Sequence, residues 1–355
     1  MELEHFVRIS KYAGERFDLV QAGGGNTSVK LEDGTMLIKA SGYLLSDVEK
    51  DNGYVKVDTR KIKDIVKNEK LLKAEKKREK ESVAATLVKD ATLSAGSRPS
   101  IETLLHSFLR KYTLHTHPLV VNMIVNKPNW KELLQSIFTG EEIALVHYQT
   151  PGVELAIELN KEIQKFPHIP QLIFLQNHGL IVSSDDAEEI DKLTNHVVNK
   201  VEKYLKVDME RYKLVNSISK LMHACHPDSS IAYLSEDIQI NQILASNKQV
   251  FYALPFCPDK LVFCGFVAVE LDSLLDVKSI RKYKDSYFEL PKVIIYKDHL
   301  FVIAKNIKKA KEIEEVLKFH VMALNSPHAS NINYLPMDEL AYLSNWEAEE
   351  YRKKL

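Results

Sequence analysis

Residues 171–184, QLIFLQNHGLIVSS, hold two short apolar runs separated only by the four residues QNHG. Runs of this length, rich in Leu, Ile and Val and bounded by turn residues, have the signature of buried strands. The tight NHG feeds the first strand directly into the second. A long helix is expected straight afterwards, from Asp186 to about Lys206, because Ser184, Asp185 and Asp186 supply N-cap candidates and negative charge for its N-terminal dipole. Another helix precedes the pair in GVELAIELNKEIQKF. This part of the chain must therefore fold as mixed α/β structure around buried strands.

The same pattern extends upstream. A short helix opens the chain, then NTSVKL, the turn EDG and TMLIKAS have the texture of paired strands. Thr59–Lys80, TRKIKDIVKNEKLLKAEKKREK, mixes Lys with Glu and lacks aromatics, which favours a solvated helix over a nucleic-acid patch. In RPSIETLLHSFLRKY, Ile101, Leu104, Leu105, Phe108 and Leu109 recur at helical spacing, with Ser100 as the N-cap candidate. That helix leads into TLHTHPLVVNMIV, expected to be a strand from near Thr113 to just before NKPN.

A chain of 355 residues suggests about two domains. We place the boundary near residue 215, giving units 1–215 and 216–355. The second has expected strands in KLVFCGFVAVEL, KVIIYK and HLFVIAK and an amphipathic helix from Ile307 to about Leu324, so it reads as a smaller α/β domain.

Lys plus Arg number 48 against 49 Asp plus Glu, so no global field favours nucleic acid or an anionic membrane, and an anionic substrate must be held locally. Cys225, Cys257 and Cys264 are odd in number and lack CxxC spacing, which fits buried thiols in a reducing compartment. The start, MELEHFVRIS, does not read as a signal peptide, and the apolar runs fall far short of the ~20 residues that span a bilayer. A cytoplasmic location is the expectation.

His115 and His117 alternate with Thr116, which on a strand directs both rings to one face. HxH alone fits a partly buried pair as well as half a metal site. His178, in QNHGL after an apolar strand, supplies a third imidazole, and three neutral imidazoles with an open position suit a catalytic zinc. Glu102 stands on the first turn of the helix that leads to HxH; it fits a fourth ligand, a general base, or a dipole-compensating acid. The glycine-rich QAGGGNTSVK matches neither GxGxxG nor GxxxxGK[ST]. Its amides and the hydroxyls of Thr27 and Ser28, with ASG at 40–42 and Ser100, could cradle a phosphate or simply form a hairpin approach. His106, His147, His196 and the HACH of 223–226 are expected to be structural.

Taken in order, GGGNTS, KASG, PSIE, HTHP, YQTPG and QNHGL resemble the class II aldolase and adducin family, in particular its zinc-dependent fuculose-phosphate and rhamnulose-phosphate aldolases. The resemblance covers roughly residues 5–210. GGGNTS and PSIET are also similar to the aldolase portion of bifunctional aldolase/short-chain dehydrogenases. It implies a three-layer α/β/α domain with a central, mainly antiparallel sheet. It also implies that His115, His117 and His178 hold Zn2+ or another divalent metal and that Glu102 acts as the acid/base. Asn26, Thr27, Ser41, Gly42 and Ser100 fall where the family binds substrate phosphate. Tyr148 falls on a proton donor that reaches a neighbouring subunit's site, which implies a homo-oligomer, usually a tetramer.

The implied reaction is reversible cleavage of a ketose 1-phosphate to dihydroxyacetone phosphate and an aldehyde through a metal-stabilised enediolate. Ile101 departs from the SSE of the fuculose enzyme and removes one hydroxyl from the cradle. Related activities on the same zinc site are sugar-phosphate 4-epimerase, dehydratase and decarboxylase; the epimerases place Asp where this chain has Glu102. A non-catalytic adducin-like binding module is the alternative from another class, and it would lose the metal ligands. The second domain is a candidate to cover the site, build the oligomer or dock a separate dehydrogenase that consumes the aldehyde.

Overall fold

The computed structural model describes residues 1–226, 230–328 and 331–344. The chain divides into two compact units, Met1–Met209 and Glu210–Leu355. The boundary expected near residue 215 lies inside a helix, Glu210–Cys225.

The first unit opens with α1 (Glu2–Gly14), which buries Phe6, Ile9 and Tyr12 and carries Glu2 and Glu4 in its first turn, where negative charge suits the helix dipole. The hairpin β1 (Asn26–Lys30) and β2 (Thr35–Lys39) follows, then β3 (Tyr54–Asp58). Three helices come next: α2 (Thr59–Asp64), α3 (Glu69–Lys73) and α4 (Lys77–Asp90). The short α5 (Thr103–Ser107) precedes β4 (Tyr112–Thr116), α6 (Leu119–Val125) and α7 (Trp130–Ile137). The unit closes with β5 (Ile143–Val146), α8 (Val153–Ile163), β6 (Leu172–Leu175), β7 (Gly179–Ser184) and α9 (Ala187–Leu205).

The strands form one seven-stranded sheet in the order β3-β2-β1-β4-β7-β6-β5. Every pair is antiparallel except β5 with β6, which a helical crossover through α8 joins in parallel. Alternation along the strands divides the apolar residues between two layers. Ile38, Val55, Ile173 and Ile181 pack with Leu104 and Leu105 of α5 and with Leu155 and Leu159 of α8. On the opposite face, α1 and α9 lie on β4, and Phe174 meets Phe138 at a ring separation of 5.1 Å.

Three local expectations give way to different structures. The run LVVNMIV is helix α6, not strand: Pro118 at its N-cap has no N–H for a sheet ladder, and Val120, Val121, Ile124 and Val125 are buried at helical spacing. The solvated helix expected over Thr59–Lys80 is broken into α2, α3 and the start of α4. Asn68 takes an extended conformation and its side chain accepts from the amides of Lys70 and Leu71, which restarts the helix there. Ser100 is not the N-cap of α5; Glu102 holds that position, while Ser100 closes the preceding turn by accepting the Glu102 N–H at 3.2 Å.

The second unit comprises α10 (Glu210–Cys225), β8 (Ile231–Leu234), α11 (Ile238–Ser246), α12 (Pro258–Cys264), β9 (Val269–Glu270), α13 (Val277–Tyr287), β10 (Val293–Tyr296), β11 (His299–Ala304), α14 (Ile307–Leu324) and α15 (Met337–Ser344). Its sheet runs β8-β11-β10-β9. Ile295, Leu300 and Val302 pack there against Ile240 of α11 and Leu317 of α14. The start of KLVFCGFVAVEL, residues 260–264, is helix, because Pro258 at the first turn starts α12, and only Val269 and Glu270 pair as strand. Cys225, Cys257 and Cys264 are free thiols, and among the described residues no helix is long and apolar enough to cross a membrane.

Candidate metal centre

The centre lies where β1, β4 and the β6–β7 turn meet at one end of the sheet. β4 pairs with β1 in a register that sets Asn26 opposite His115, and with β7 in a register that sets His115 opposite Ile181. His117 follows just past the end of β4, its amide held by the Leu19 carbonyl at 2.9 Å. His178 sits in the turn between β6 and β7. Asn177 adopts φ 54° there, a left-handed conformation that asparagine tolerates better than most residues.

Two glycines make the close approach feasible. A Cβ on Gly24 would stand 2.9 Å from His117 Nδ1, and one on Gly179 would stand 2.3 Å from the Thr116 carbonyl oxygen. Both positions exclude a side chain, so the glycine loop can close onto His117 and β7 can lie against the HxH strand.

The three imidazoles converge on their Nε2 atoms, 3.1 Å apart for His117 and His115 and 3.3 Å for His115 and His178. Nitrogens held ~2.0–2.1 Å from a shared tetrahedral centre lie ~3.3 Å from one another, so the spacing fits a single metal ion. His115 Nδ1 is 3.0 Å from the Leu180 carbonyl, which fixes the proton on Nδ1 and leaves Nε2 as a free lone pair. Burial pushes His115 and His117 down to about 3 and lowers His178 as well, so all three are neutral donors near pH 7. Among the described residues, His115, His117 and His178 form the group of side chains able to hold a metal.

Glu102 completes the arrangement. Its Oε1 lies 3.4 Å from His115 Nε2 and 3.5 Å from His178 Nε2. Burial raises its pKa, against the opposing pull of His178, His117 and Lys39. A carboxyl so placed can serve as a fourth donor, or hold and release a proton beside a bound carbonyl compound.

Asn26 is buried at 1% exposure beside the Glu102 carboxyl, whose charged form its side chain favours, and its amide oxygen has no hydrogen-bond partner. Ser41, Gly42 and Ser100 lie on segments joined by the Ala40–Pro99 bridge. Thr27 differs: strand alternation turns its hydroxyl to the α1 face, where it meets Ser10 Oγ at 2.6 Å, so the structure does not bring that hydroxyl to the others. Tyr148 is 52% exposed, and its amide donates to Gln176 Oε1 at 3.1 Å. His106 Nδ1 meets Ser28 Oγ at 2.8 Å, His196 pairs with Glu141 and His223 meets the Ser230 carbonyl, all structural contacts.

Lys39 escaped the sequence reading. It is 4% exposed, its ammonium donates to the Tyr43 carbonyl at 2.8 Å, and it acts on Glu102 electrostatically. The available signal was a lysine at the end of a strand whose preceding residues, Met36, Leu37 and Ile38, are a continuous apolar run.

A central, mainly antiparallel sheet with helices on both faces carries, at one end, a tri-histidine group that could hold a metal ion beside a buried glutamate; together they define an α/β domain. Residues 4–205 match the family described as Class II Aldolase and Adducin N-terminal domain, and the chain belongs to that family. YuxG of Bacillus subtilis, described as an uncharacterized oxidoreductase, is 29% identical over 213 residues, covering 57% of this chain. The match spans only 29% of that relative's length. Among solved structures, the N-terminal class II aldolase domain of a conserved Thermoplasma acidophilum protein is 24% identical, with a TM-score of 0.48 and coverage of 58% of this chain and 94% of that one. A sugar-phosphate aldolase from Thermotoga maritima is 18% identical, with a TM-score of 0.42 and coverage of 57% and 94%.

Proposed function

We propose that the chain is a zinc-dependent aldolase that reversibly cleaves a ketose 1-phosphate to dihydroxyacetone phosphate and an aldehyde. The observation that carries this reading is the buried Glu102 carboxyl within 3.5 Å of the convergent imidazoles. A divalent cation held by His115, His117 and His178 would supply a Lewis acid that polarises the substrate carbonyl and offsets negative charge developing on its oxygen.

The chain's own groups move the protons. In the condensation direction the Tyr148 hydroxyl of a neighbouring copy donates its proton to the aldehyde oxygen as the ketone half's electron pair forms the carbon–carbon bond; in cleavage, the reverse, that proton returns to Tyr148 and the bond's electron pair passes onto the ketone half. The carbon left behind takes a proton from Glu102, whose pKa burial raises, a shift in the direction that favours the protonated acid. Asn26, Ser41, Gly42, Ser100 and the backbone at Thr27 bind the phosphate. The exposure of Tyr148 in the single chain supports its donation to another subunit, and with it a homotetramer. The oxidoreductase description of YuxG supports a separate dehydrogenase that consumes the aldehyde.

The test is a retro-aldol screen of ketose 1-phosphates with the zinc-loaded protein, reading out dihydroxyacetone phosphate. Release from at least one sugar is expected. Failure with all of them, while the protein retains stoichiometric metal, would move the assignment to epimerase, dehydratase or decarboxylase chemistry. Protein that takes up no metal would move it to a binding module. Glu102→Gln should keep zinc and lose ~10²–10⁴-fold in proton exchange on dihydroxyacetone phosphate; undiminished exchange refutes the role of Glu102.

A further inference from the structure

The phosphate cradle just described is built from neutral donors, whereas a phosphomonoester carries about −1.5 to −2 charges at pH 7. The buried cation of the site, Lys39, already donates to the Tyr43 carbonyl and faces Glu102. A positive charge for the phosphate has to come from elsewhere.

The Ala40–Pro99 bridge is antiparallel, and one step along it the Ser41 amide donates to the Arg98 carbonyl at 2.8 Å. Ser41 and Arg98 are therefore cross-strand partners, and directly opposed residues in such a pair project to the same side. Both line a cavity of about 960 Å³, together with Ser100 and Lys89. The histidines and Glu102 are not among its lining residues, so the cavity adjoins the cradle and not the metal ligands. Its one lining carboxylate, Glu81, accepts the Val153 amide at 2.9 Å at the N-terminus of α8. Arg98 is exposed and makes no ion pair among the described residues. A guanidinium in this position, with a fork that matches two phosphate oxygens, has an anion as its natural partner.

We infer that Arg98 is the charge-pairing residue that restricts the site to dianionic phosphomonoester substrates, with Lys89 adding positive field from the wall of α4. The inference rests on the reading of Ser41 and Ser100 as the phosphate cradle. It adds a specificity-determining residue that the motifs do not contain, since Arg98 precedes PSIE by one position.

Binding of inorganic phosphate to the full zinc-loaded chain, followed by titration calorimetry at low ionic strength, tests this without requiring turnover. Arg98→Gln should weaken phosphate binding at least about tenfold with zinc content unchanged. Arg98→Lys, which keeps the charge and loses the fork, should fall between. Wild-type affinity should rise with pH through the second phosphate ionisation near ~6, and Arg98→Gln should flatten that rise. Ser100→Ala separates the two ideas. If Ser100→Ala weakens binding while Arg98→Gln binds as tightly as wild type with the same pH profile, the role of Arg98 is overturned and the cradle stands. If wild type has no measurable phosphate affinity, or neither variant changes it, both fall.

Discussion

Replacing Gly179 by alanine tests whether the contact between β4 and β7 sets the metal geometry. The added methyl would lie 2.3 Å from the Thr116 carbonyl oxygen and 3.2 Å from His117 Cα. Carbon–oxygen contacts of this kind settle at ~3.3–3.6 Å, so the strands must part by about 1 Å. Both obstacles are backbone, at Thr116, which pairs in register with Leu180, and at the residue that follows it, and neither can swing aside. Overpacking of this sort costs ~1–3 kcal/mol. At ~2–4 °C per kcal/mol for a unit of this size, Tm should drop by ~2–12 °C.

The same displacement separates His117 from His178, whereas metal–ligand distances tolerate only about ±0.2 Å. Zinc affinity should therefore fall at least about tenfold, the scale expected when support around a ligand set is lost. Thermal unfolding with and without chelator, and competition for zinc against a chromogenic chelator, read the two effects. Gly23→Ala is the control, because a Cβ there meets nothing within 4 Å. If Gly179→Ala keeps both wild-type Tm and wild-type zinc affinity, the steric account of the hairpin is refuted.

Two further outcomes follow from buried charge. Arg16 and Asp18 are each 1% exposed and joined by two hydrogen bonds of 3.0 and 2.5 Å, so Asp18→Ala should cost ~3–5 kcal/mol in urea denaturation. A loss below about 1 kcal/mol would mean that the Arg16 bonds to Tyr12 and Asn195 are sufficient. His320 is buried, stacked on Phe256, with neither ring nitrogen hydrogen-bonded, and burial lowers its pKa from 6.5 to about 3. The unfolded chain gains that proton as pH falls through 6.5 and the folded chain does not until about 3, so stability is full above 6.5 and declines across the window between. His320→Phe should flatten that decline in denaturation midpoints measured against pH; an unchanged slope sinks the assignment.

The parts of the site that could be read from sequence are those where chemistry and local geometry coincide. HTH and QNHG place imidazoles at strand ends whatever the rest of the chain does, and PSIE places a carboxyl just before a helix. Thr27 shows the opposite case. Its letter belongs to the motif as much as Asn26 does, yet strand alternation sends its hydroxyl to Ser10, and a motif without a known face cannot separate the two. Lys39 was invisible because lysine is rarely buried without a partner, and its carbonyl partner at Tyr43 exists only once the chain has turned back at Gly42. The helix LVVNMIV failed for a different reason: a short run that is apolar but for Asn122 has too little period to distinguish a buried helix from a buried strand, and Pro118 was the informative residue.

The histidine group also conflicts with ordinary folding preferences in a way that bears on its use. Nε2 atoms of His115, His117 and His178 stand 3.1 and 3.3 Å apart, and with its proton held on Nδ1 the Nε2 of His115 is a lone pair that either a neighbouring Nε2–H or a shared cation can satisfy. Burial lowers all three pKa values, which opposes an added proton and keeps the rings neutral. Packing that served stability alone would have moved the rings apart or given them donors. The sheet instead holds them together, with His115 locked by Leu180 and with Gly24 and Gly179 clearing the approach. If a divalent cation occupies this group, as proposed, its binding energy stabilises the folded state, because the unfolded chain has no preformed site.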